Sequence, residues 1–485
     1  MADAVTSRSA LRPLLAVCVL FAVASSVAVP ATLGLGWDEV VYVSQYGTHA
    51  PAAFMSAPRS RGVTLLVGPV ASWFDSTVAL RLFLTATATI ALGLAFWVWS
   101  RVLRQPRIAA LAAGMYASLW IALFYANAAM PNHYTAMAAV TAVGCFLLAA
   151  AEPARPGAYL GLVAALLVAA LMRPADAFWL GLPLLGGILA VPALRRRRLA
   201  VAVIAGLALG VAPWVVEAET RYGGLAERIR QAGQVQGGTE LGFSLPKVIS
   251  TLDGPILCRP CDSPLYWPAA LWWVALALLV PLGVRAARRA GTSPTAWLPV
   301  AVAASTAFPY LFLIGYSAPR FLLPAYGLAL IPAAAGLAAL LSATSGTWRR
   351  VLTAVVAAGC AGHLAIQAGI LLHVVSEQIR GRGDWARIAE TLRSHGVRPP
   401  CVVTGHEAIP VAYYTRCRAL EDRGYNRNVS TAQLREAAAS TSVAVLVKDD
   451  SPPDWARDWR RVPVRGLSTS GWALYLPTRA SGAPN

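Results

Sequence analysis

The chain reads Gly36-Trp37-Asp38-Glu39-Val40-Val41-Tyr42 directly after its first long apolar run, residues 11–33. Charged side chains are costly at a membrane boundary, so two adjacent carboxylates at the end of an apolar run need a reason. One interpretation is a general base that deprotonates an acceptor hydroxyl beside the bilayer. The alternative is a solvated start to the first loop outside the membrane.

The composition is that of a membrane protein. Hydrophobic residues make up 57% of the 485 residues and charged residues only 13%, with a mean hydropathy of +0.56. Soluble proteins of this length do not have such a composition. The net charge of +18 would suit a nucleic-acid partner, but most arginines stand in short clusters between apolar runs, as the positive-inside rule describes. The sequence therefore predicts a polytopic α-helical membrane protein with no nucleic-acid partner.

Eleven apolar runs approach the roughly 20 residues that are needed to cross the hydrocarbon core. They are residues 11–33, 79–100, 107–126, 134–152, 157–172, 177–194, 199–217, 265–284, 296–316, 321–341 and 351–373. The arginine clusters at 101–107, 195–198, 285–289 and 349–350 all fall on one side if the N-terminus is cytoplasmic. An odd number of spans then places the C-terminus outside, which predicts a multi-pass protein of the plasma membrane.

This topology predicts a membrane domain, residues 1–375, with outer loops at 34–78 and 217–263, and an outer domain at 376–485. Within the first loop, residues 61–74 are too short and too polar at their start to span. They suit a helix that lies in the membrane interface, with Trp73 at headgroup depth. A tilted continuation of the next span is the alternative.

The tail changes in character from membrane helix to soluble domain. Residues 384–393 predict an amphipathic helix, and 401–404, 443–447 and 472–476 predict strands. Strands alternating with helical patterns indicate a small α/β domain outside the cytoplasm. The tail has no Gly-rich phosphate loop between a strand and a helix, which argues against nucleotide binding.

The seven cysteines divide by location. Cys18, Cys145 and Cys360 lie in apolar runs and suit packing. The other four, Cys258, Cys261, Cys401 and Cys417, are predicted outside, where disulfides are the simplest interpretation. The pairs Cys258–Cys261 and Cys401–Cys417 are favoured, with pairing between the loops as the alternative.

Three features coincide with one known family. These are the Trp37-Asp38-Glu39 stretch after the first span, the many spans with long outer loops, and Ser317-Ala318-Pro319-Arg320-Phe321-Leu322-Leu323-Pro324 before a late span. Together they resemble the GT-C superfamily of polyprenyl-phosphate-sugar-dependent glycosyltransferases, especially the protein O-mannosyltransferases and lipid A aminoarabinose transferases. The resemblance covers residues 11–373 and leaves the tail without a match.

The resemblance implies roles for the carboxylates. The acid of the first loop is the catalytic base in that family, which places this role on Asp38 with Glu39 as its catalytic neighbour. A sugar on a lipid monophosphate is already activated, so the enzyme needs only to deprotonate the acceptor, align it and stabilise the departing phosphate.

Arginines are the natural ligands of that phosphate, because a planar guanidinium holds two phosphate oxygens at once. Arg320 is the first candidate, with interfacial anchoring as its alternative. Arg59 and Arg61 share the loop of the acid pair. Arg173 lies at another outer boundary, where Asp176 is an alternative partner three residues on.

Asn132 and His133 cluster at the second outer turn and are candidates for sugar binding, although a lone histidine more often packs. The family often carries acidic residues in this region, and this chain has none there. A divalent cation held by Asp38, Glu39 and His49 is an alternative that the residues leave open. No cofactor is otherwise implied.

The sequence therefore predicts an inverting membrane glycosyltransferase that uses a polyprenyl-phosphate donor and works on the outer face. By resemblance the sugar is mannose first and arabinose second. The acceptor is a protein, a polysaccharide or a glycolipid outside the cytoplasm. A transporter or flippase of lipid-linked sugars is the alternative, although such a protein has no use for a base at Asp38 and often shows internal repeats.

Overall fold

The computed structural model describes residues 2–238, 241–259, 261, 264 and 266–478. Two compact units divide the chain. Unit 1 consists of Met1–Val29, Ser60–Gly62 and Leu82–Val374, and unit 2 of Pro30–Arg59, Val63–Arg81 and Val375–Asn485. The first loop therefore belongs mostly to the same unit as the tail, whereas the sequence analysis assigned it to the membrane domain.

Helices form most of the described chain. In order they are α1 (Ala2–Ala28), α2 (Trp37–Val43), α3 (Gly62–Trp73), α4 (Thr77–Leu103), α5 (Pro106–Ala117), α6 (Trp120–Tyr125), α7 (Pro131–Ala151), α8 (Pro156–Met172), α9 (Pro174–Ala190), α10 (Arg197–Arg221), α11 (Leu225–Val235), α12 (Leu245–Ile249), α13 (Leu271–Arg289), α14 (Pro294–Phe312), α15 (Leu323–Ser342), α16 (Gly346–Ser394), α17 (Ala408–Thr415) and α18 (Thr431–Ser440).

Within the described residues, eight helices are long and apolar enough to cross a membrane. They are α1, α4, α7, α10, α13, α14, α15 and α16. Helices α8 and α9 are apolar but only 17 residues each. The chain is thus a multi-pass integral membrane protein, while the predicted count of eleven spans is not confirmed.

The predicted span at 107–126 is broken. Helix α5 ends at Ala117 and α6 begins at Trp120. The backbone amide of Trp120, at the start of α6, donates instead to Gln367 Oε1 at 2.8 Å. A side chain from α16 therefore satisfies a backbone group that the break would otherwise leave unpaired.

Close helix packing in unit 1 depends on small residues. On α10, Gly206 and Gly210 form a Gly-x-x-x-Gly face against α8, and a Cβ atom at Gly206 would lie 2.8 Å from Val163 O. Such small-residue faces let membrane helices approach closely. Helix α7 is the most buried of the spans, so it lies at the centre of the unit.

A helix, α3 (Gly62–Trp73), is present in the stretch 61–74 for which an interfacial helix is predicted. Its Leu65 and Trp73 side chains are exposed, as is Phe74 just beyond its end, while Val63 and Val67 are buried. The helix therefore has an unburied apolar side, as an interfacial helix requires.

The tail begins inside a helix. Helix α16 is 49 residues long and contains both the last predicted span and the helix predicted at 384–393. No proline interrupts the stretch, and single glycines such as Gly381 and Gly383 weaken a helix by only about 1 kcal/mol each.

The sheet of the tail has the strand order β2-β1-β3-β5-β4. Its strands are β1 (Cys401–Gly405), β2 (Arg418–Ala419), β3 (Ser442–Lys448), β4 (Arg460–Pro463) and β5 (Trp472–Leu476). Strands β2, β1 and β3 are parallel, whereas β5 pairs antiparallel with β3 and β4. Ile388 and Leu392 of α16 pack on Val403 and Leu446, which forms the core of the tail. The three predicted strands are present, and the two short ones were missed.

Candidate active site

Helix α2 presents the two carboxylates. Gly36 N donates to Glu39 Oε2 at 2.8 Å, so the side chain of Glu39 satisfies a backbone N–H at the start of the helix. Asp38 and Glu39 both lie in the first turn, where negative charge is favourable. Since successive residues of a helix point about 100° apart, the two side chains face different surroundings.

Asp38 faces the first loop. Its Oδ1 accepts from Arg59 Nη2 at 2.7 Å, and its side chain is 30% exposed. Arg59 also donates to the hydroxyl of Ser56 and lies over the Trp37 ring, 5.1 Å from its centroid. The carboxylate is thus held in one direction while it stays accessible.

Glu39 faces the interior of unit 2. Arg81 donates to both of its oxygens, with Nη2 at 2.9 Å from Oε2, and Arg382 Nη1 lies 3.0 Å from Oε2. The three side chains are 3%, 2% and 6% exposed. Burial alone would raise the pKa of Glu39, but the two guanidinium groups lower it to about 2. An ionised carboxylate between two arginines is a positioning group, because it cannot accept a proton at neutral pH.

The same arginines hold the chain that enters α2. Arg81 donates to Leu33 O and Gly34 O, and Arg382 Nη1 donates to Gly34 O at 2.6 Å. Tyr414 adds a bond from its hydroxyl to Leu35 O at 3.2 Å. Residues 33–39 are therefore fixed by α4, α16 and α17 within unit 2.

Arg61 pairs with a carboxylate in unit 1. Its Nε lies 3.0 Å from Glu217 Oε1, and Arg228 Nη2 approaches Glu217 Oε2 at 3.1 Å. Arg228 is itself enclosed by Trp214 and Tyr222, with its guanidinium 4.3 Å from each ring centroid. These contacts hold Arg61 against α10 and α11 within unit 1.

Arg173 and Arg320 lie together in unit 1. Arg173 Nε is 2.8 Å from Asp176 Oδ2, the pairing that the sequence left as an alternative, and its Nη2 donates to Tyr310 Oη at 2.7 Å. Arg320 Nη1 donates to Ile256 O at 2.7 Å and to a tyrosine hydroxyl. Both guanidinium carbons are 5.4 Å from the Phe321 ring centroid.

Residues 60–62 join this region of unit 1. Ser60 Oγ donates to Leu171 O at 2.7 Å, two residues before Arg173. Three of the predicted donor-binding arginines, Arg61, Arg173 and Arg320, are thus brought into one part of unit 1, while Arg59 accompanies Asp38 in unit 2.

Asn132 and His133, at the start of α7, differ in their hydrogen bonding. His133 is fully buried, and its ring nitrogens lie 3.2 Å from Tyr116 Oη and 3.0 Å from Ala88 O. This is the geometry of a packing histidine. Asn132 is also fully buried, but its amide atoms have no hydrogen-bond partner among the described residues.

His49 does not join the carboxylates of α2. Its Nδ1 lies 2.9 Å from Asp75 Oδ2, while Glu39 is enclosed by arginines. Across the part of the chain that the structure describes, no three histidine, cysteine or acidic side chains come together in a way that could hold a metal ion.

Both favoured cysteine pairs are disulfides in the structure. The bond Cys401–Cys417 joins β1 to the residue before β2. Cys258, which is bonded to Cys261, also pairs through the backbone with Ser317, three residues before Arg320.

The fold has clear relatives among solved structures. The lipid A aminoarabinose transferase ArnT of Cupriavidus metallidurans, bound to undecaprenyl phosphate, aligns with a TM-score of 0.68 at 14% identity over 97% of this chain and 98% of ArnT. Its apo structure aligns with a TM-score of 0.64 at 14% identity over 99% and 100%. The fold is that of the GT-C superfamily.

A second GT-C member, the oligosaccharyltransferase AglB of Archaeoglobus fulgidus, was solved with an inhibitory peptide and a dolichol-phosphate. It aligns with a TM-score of 0.53 at 12% identity over 90% of this chain and 69% of AglB. No protein-family model and no curated protein matches the chain. The GT-C fold that the sequence predicted is confirmed, including the small sheet domain at its C-terminal end.

Sequence reasoning missed two residues that matter to this candidate site. Arg81 gave a signal, since a charged residue inside the predicted span at 79–100 calls for a partner. Arg382 gave none, because 343 residues separate it from Glu39. Only the folded chain shows that both arginines serve the second carboxylate.

Proposed function

We propose that this protein is an inverting glycosyltransferase that moves a sugar from a polyprenyl-phosphate carrier to a hydroxyl group of an acceptor outside the cytoplasm. The observation that carries the proposal is Asp38. It is an accessible carboxylate, 30% exposed, on a short helix that buried ion pairs hold in place. This is what a general base requires, because it must reach a substrate without moving.

The structural neighbours support the choice of donor. One was solved with undecaprenyl phosphate and another with dolichol-phosphate. Both ligands are lipid phosphates of the kind that remains when a polyprenyl-phosphate sugar has given up its sugar. Their low identity carries no residue role to this chain, so each role below depends on this chain's own contacts.

Asp38 acts first in the proposed reaction. One carboxylate oxygen accepts the hydrogen bond of the acceptor hydroxyl, and the acceptor oxygen attacks the anomeric carbon from the side opposite the phosphate. The new carbon–oxygen bond forms as the bond to the phosphate oxygen breaks. The proton passes to Asp38, the lipid phosphate leaves with the bonding electrons, and the anomeric centre is inverted.

Arg59 holds the base in this scheme. Its contacts with Asp38, Ser56 and Trp37 fix the direction of the carboxylate. Arg59 is therefore a positioning residue rather than a phosphate ligand.

Arg320 is the proposed ligand of the leaving phosphate. Its Nη1 donates to a carbonyl and to a phenol, and a charged phosphate oxygen is a stronger acceptor than either. Arg173 lies against the same Phe321 ring and adds positive charge, which its pair with Asp176 partly neutralises. Arg61 is the weakest candidate, since Glu217 already accepts from both its Nε and its Nη2.

The test is release of polyprenyl phosphate from a radiolabelled donor by the purified protein in nanodiscs. Polyprenyl-phosphate mannose and polyprenyl-phosphate arabinose are offered with an extract of cell-envelope acceptors. We expect release with one of the two donors and a matching labelled product. Movement of intact donor between leaflets with no release would replace this proposal by the flippase alternative.

The proposal also includes the orientation of the protein in the membrane. A reporter fused after residue 380 should be active only outside the cytoplasm, since the arginine clusters predict a cytoplasmic N-terminus. A reporter that works only in the cytoplasm, fused at the same place, should be silent. The reverse result would remove the acceptor from the outer face.

A further inference from the structure

Trp120 is the first residue of α6, directly after the break between α5 and α6. Its side chain is only 1% exposed. Its backbone amide donates to Gln367 Oε1 at 2.8 Å, and its indole Nε1 donates to Leu252 O at 2.9 Å. Both N–H donors of this buried residue therefore bind parts of unit 1 that are far away in the sequence.

Gln367 holds Trp120 from α16. Because Gln367 is also buried, its bond to the amide of Trp120 is shielded from water. One turn earlier on α16, His363 Nε2 lies 3.0 Å from the hydroxyl oxygen of Ser118, which lies in the break itself. Residues four apart share one face of a helix, so one face of α16 fixes the break between α5 and α6.

Trp120 connects the two segments whose oxygen atoms accept from Arg320. The last residue of α6, Tyr125, accepts from Arg320 Nη1 through its hydroxyl at 3.1 Å. Ile256, four residues after Leu252, accepts from the same nitrogen through its carbonyl at 2.7 Å. The bond from the indole to Leu252 therefore joins the two elements that carry the acceptors of Nη1.

The segment that contains Ile256 is also bonded to the chain just before Arg320. Cys258 N donates to Ser317 O at 2.8 Å, and Ser317 N donates to Cys258 O at 3.2 Å. The backbone that leads to Arg320 and the carbonyl that its side chain reaches are thus held together. Trp120 adds α6, with its tyrosine hydroxyl, to this bonded group.

The direction of the Arg320 guanidinium plane depends on both acceptors of Nη1. A guanidinium holds a phosphate bidentately only when its planar fork faces the phosphate oxygens. Movement of one acceptor would leave the positive charge in place but turn the fork away. Residues that fix a functional side chain from behind therefore increase the affinity of a site.

We propose that Trp120 is a positioning residue for the donor phosphate. Its indole N–H joins α6 to the segment of Ile256 and so fixes the direction of Arg320, while Gln367 fixes Trp120. The inference rests on the proposed function, since it takes Arg320 as the ligand of the leaving phosphate. It adds two residues that act on the donor through Arg320.

The experiment measures binding of geranyl phosphate, a short-chain polyprenyl phosphate, to the full chain in nanodiscs by calorimetry, with empty nanodiscs as the blank. Trp120→Phe keeps an aromatic ring in the core but loses the indole N–H. We expect the dissociation constant to rise about fivefold, as the loss of one hydrogen bond predicts. Unchanged binding in folded Trp120→Phe would overturn the inference.

Trp99→Phe is the matched control. Trp99 Nε1 donates to Val140 O at 2.8 Å, and the Trp99 side chain is fully buried, so the two substitutions remove the same kind of bond. Both should lower the melting temperature to a similar extent, but only Trp120→Phe should weaken binding of geranyl phosphate. Equal weakening in the two variants would show a general effect of lost packing and contradict the positioning role.

A double variant tests whether Trp120 acts through Arg320. In Arg320→Lys the planar fork is absent, so the addition of Trp120→Phe should raise the dissociation constant by less than about twofold more. A further rise of about fivefold would mean that the two residues act independently, which overturns the inference. Normal binding in Arg320→Lys would do the same, because there would be no phosphate ligand to position.

Gln367→Met tests the same connection if Trp120→Phe does not fold. It removes the acceptor of the Trp120 amide and keeps a side chain of similar length, so binding of geranyl phosphate should again weaken, and unchanged binding contradicts the inference. Failure of the proposed function has a different signature. A wild-type protein that binds geranyl phosphate but releases no polyprenyl phosphate from any labelled donor lacks the transferase reaction, whereas the binding data still decide the role of Trp120.

Discussion

The two sides of α2 treat adjacent carboxylates in opposite ways. Asp38 pairs with Arg59 and keeps an accessible side chain, whereas Glu39 pairs with Arg81 and Arg382 and is almost fully buried. A partly exposed ion pair contributes less to stability than a fully buried one loses on disruption, because water still reaches its carboxylate. A buried ion triad costs much if one partner is removed, because the remaining charges lose their compensation. We therefore propose that Asp38 takes part in the reaction, whereas Glu39 holds α2 in place.

The largest effect is expected for Asp38→Asn. Asparagine keeps the size and polarity of the side chain but cannot take the proton of the acceptor. General-base catalysis typically contributes about a hundred- to ten-thousand-fold to the rate, and we expect a loss of that size in polyprenyl phosphate release. The melting temperature should stay close to that of the wild type.

Asp458→Asn, at an exposed aspartate of the tail, provides the control and should keep full activity. Near-normal turnover in Asp38→Asn would contradict the role of Asp38 as the base. Should Glu39→Gln then be the folded but inactive variant, the base would move by one residue.

For Glu39→Gln we expect a loss of stability instead. Removal of the charge leaves Arg81 and Arg382 buried beside a neutral amide, and breaking a buried pair costs about 3–5 kcal/mol. The measurement is thermal unfolding in nanodiscs at neutral pH, followed by turnover of the fraction that stays folded. That fraction should retain part of its activity, because Asp38 is still present.

Glu377→Gln offers a matched comparison. Glu377 also pairs with an arginine, Arg380, but both side chains are about half exposed, so the change should cost no more than about 1 kcal/mol. Equal destabilisation by the two variants would show that the Glu39 triad contributes no more than a surface pair.

Variants of Arg320 test the binding of the donor phosphate rather than the carboxylates. Arg320→Lys keeps the charge but loses the planar fork, so we expect turnover to fall about tenfold, with Arg320→Ala lower still. Binding of polyprenyl phosphate should weaken in parallel. Arg350→Lys, at an exposed position of α16, is the control, and normal donor kinetics in Arg320→Lys would reassign Arg320 to anchoring.

The contrast between Asp38 and Glu39 also shows what the sequence could predict. The acid pair and its place after the first span are local features, as are the valine-rich strands β1 and β3. The partners of Glu39 are not local, since thirteen of the described helices, α3 to α15, separate α2 from the helix of Arg382. Strands β2 and β4 escaped prediction because they are short and begin with arginine, with no apolar alternation to mark them. The break between α5 and α6 depends on Gln367, which no neighbouring residue indicates.

The smallest effect is expected for Glu407, a carboxylate of the tail whose pKa is shifted in the direction opposite to that of Glu39. Burial raises the pKa of Glu407 to about 7, and nearby Lys448 only partly opposes this. The folded state therefore binds a proton more tightly than the unfolded chain, so the stabilising contribution is complete below about pH 4.5 and is lost as the pH rises to 7. The pH dependence from Glu39 has the opposite sign, since its stabilising contribution is lost only as the pH falls from about 4.5 toward 2.

Glu407→Gln removes the charge, so we expect it to stabilise the protein at pH 8 by about 1–3 kcal/mol and to change little at pH 5. Melting curves at the two pH values, with the exposed Glu436→Gln as control, measure the difference. A variant that is equally stable relative to the wild type at both pH values would show that Glu407 is solvated, and the contrast with Glu39 would then be confined to the first loop.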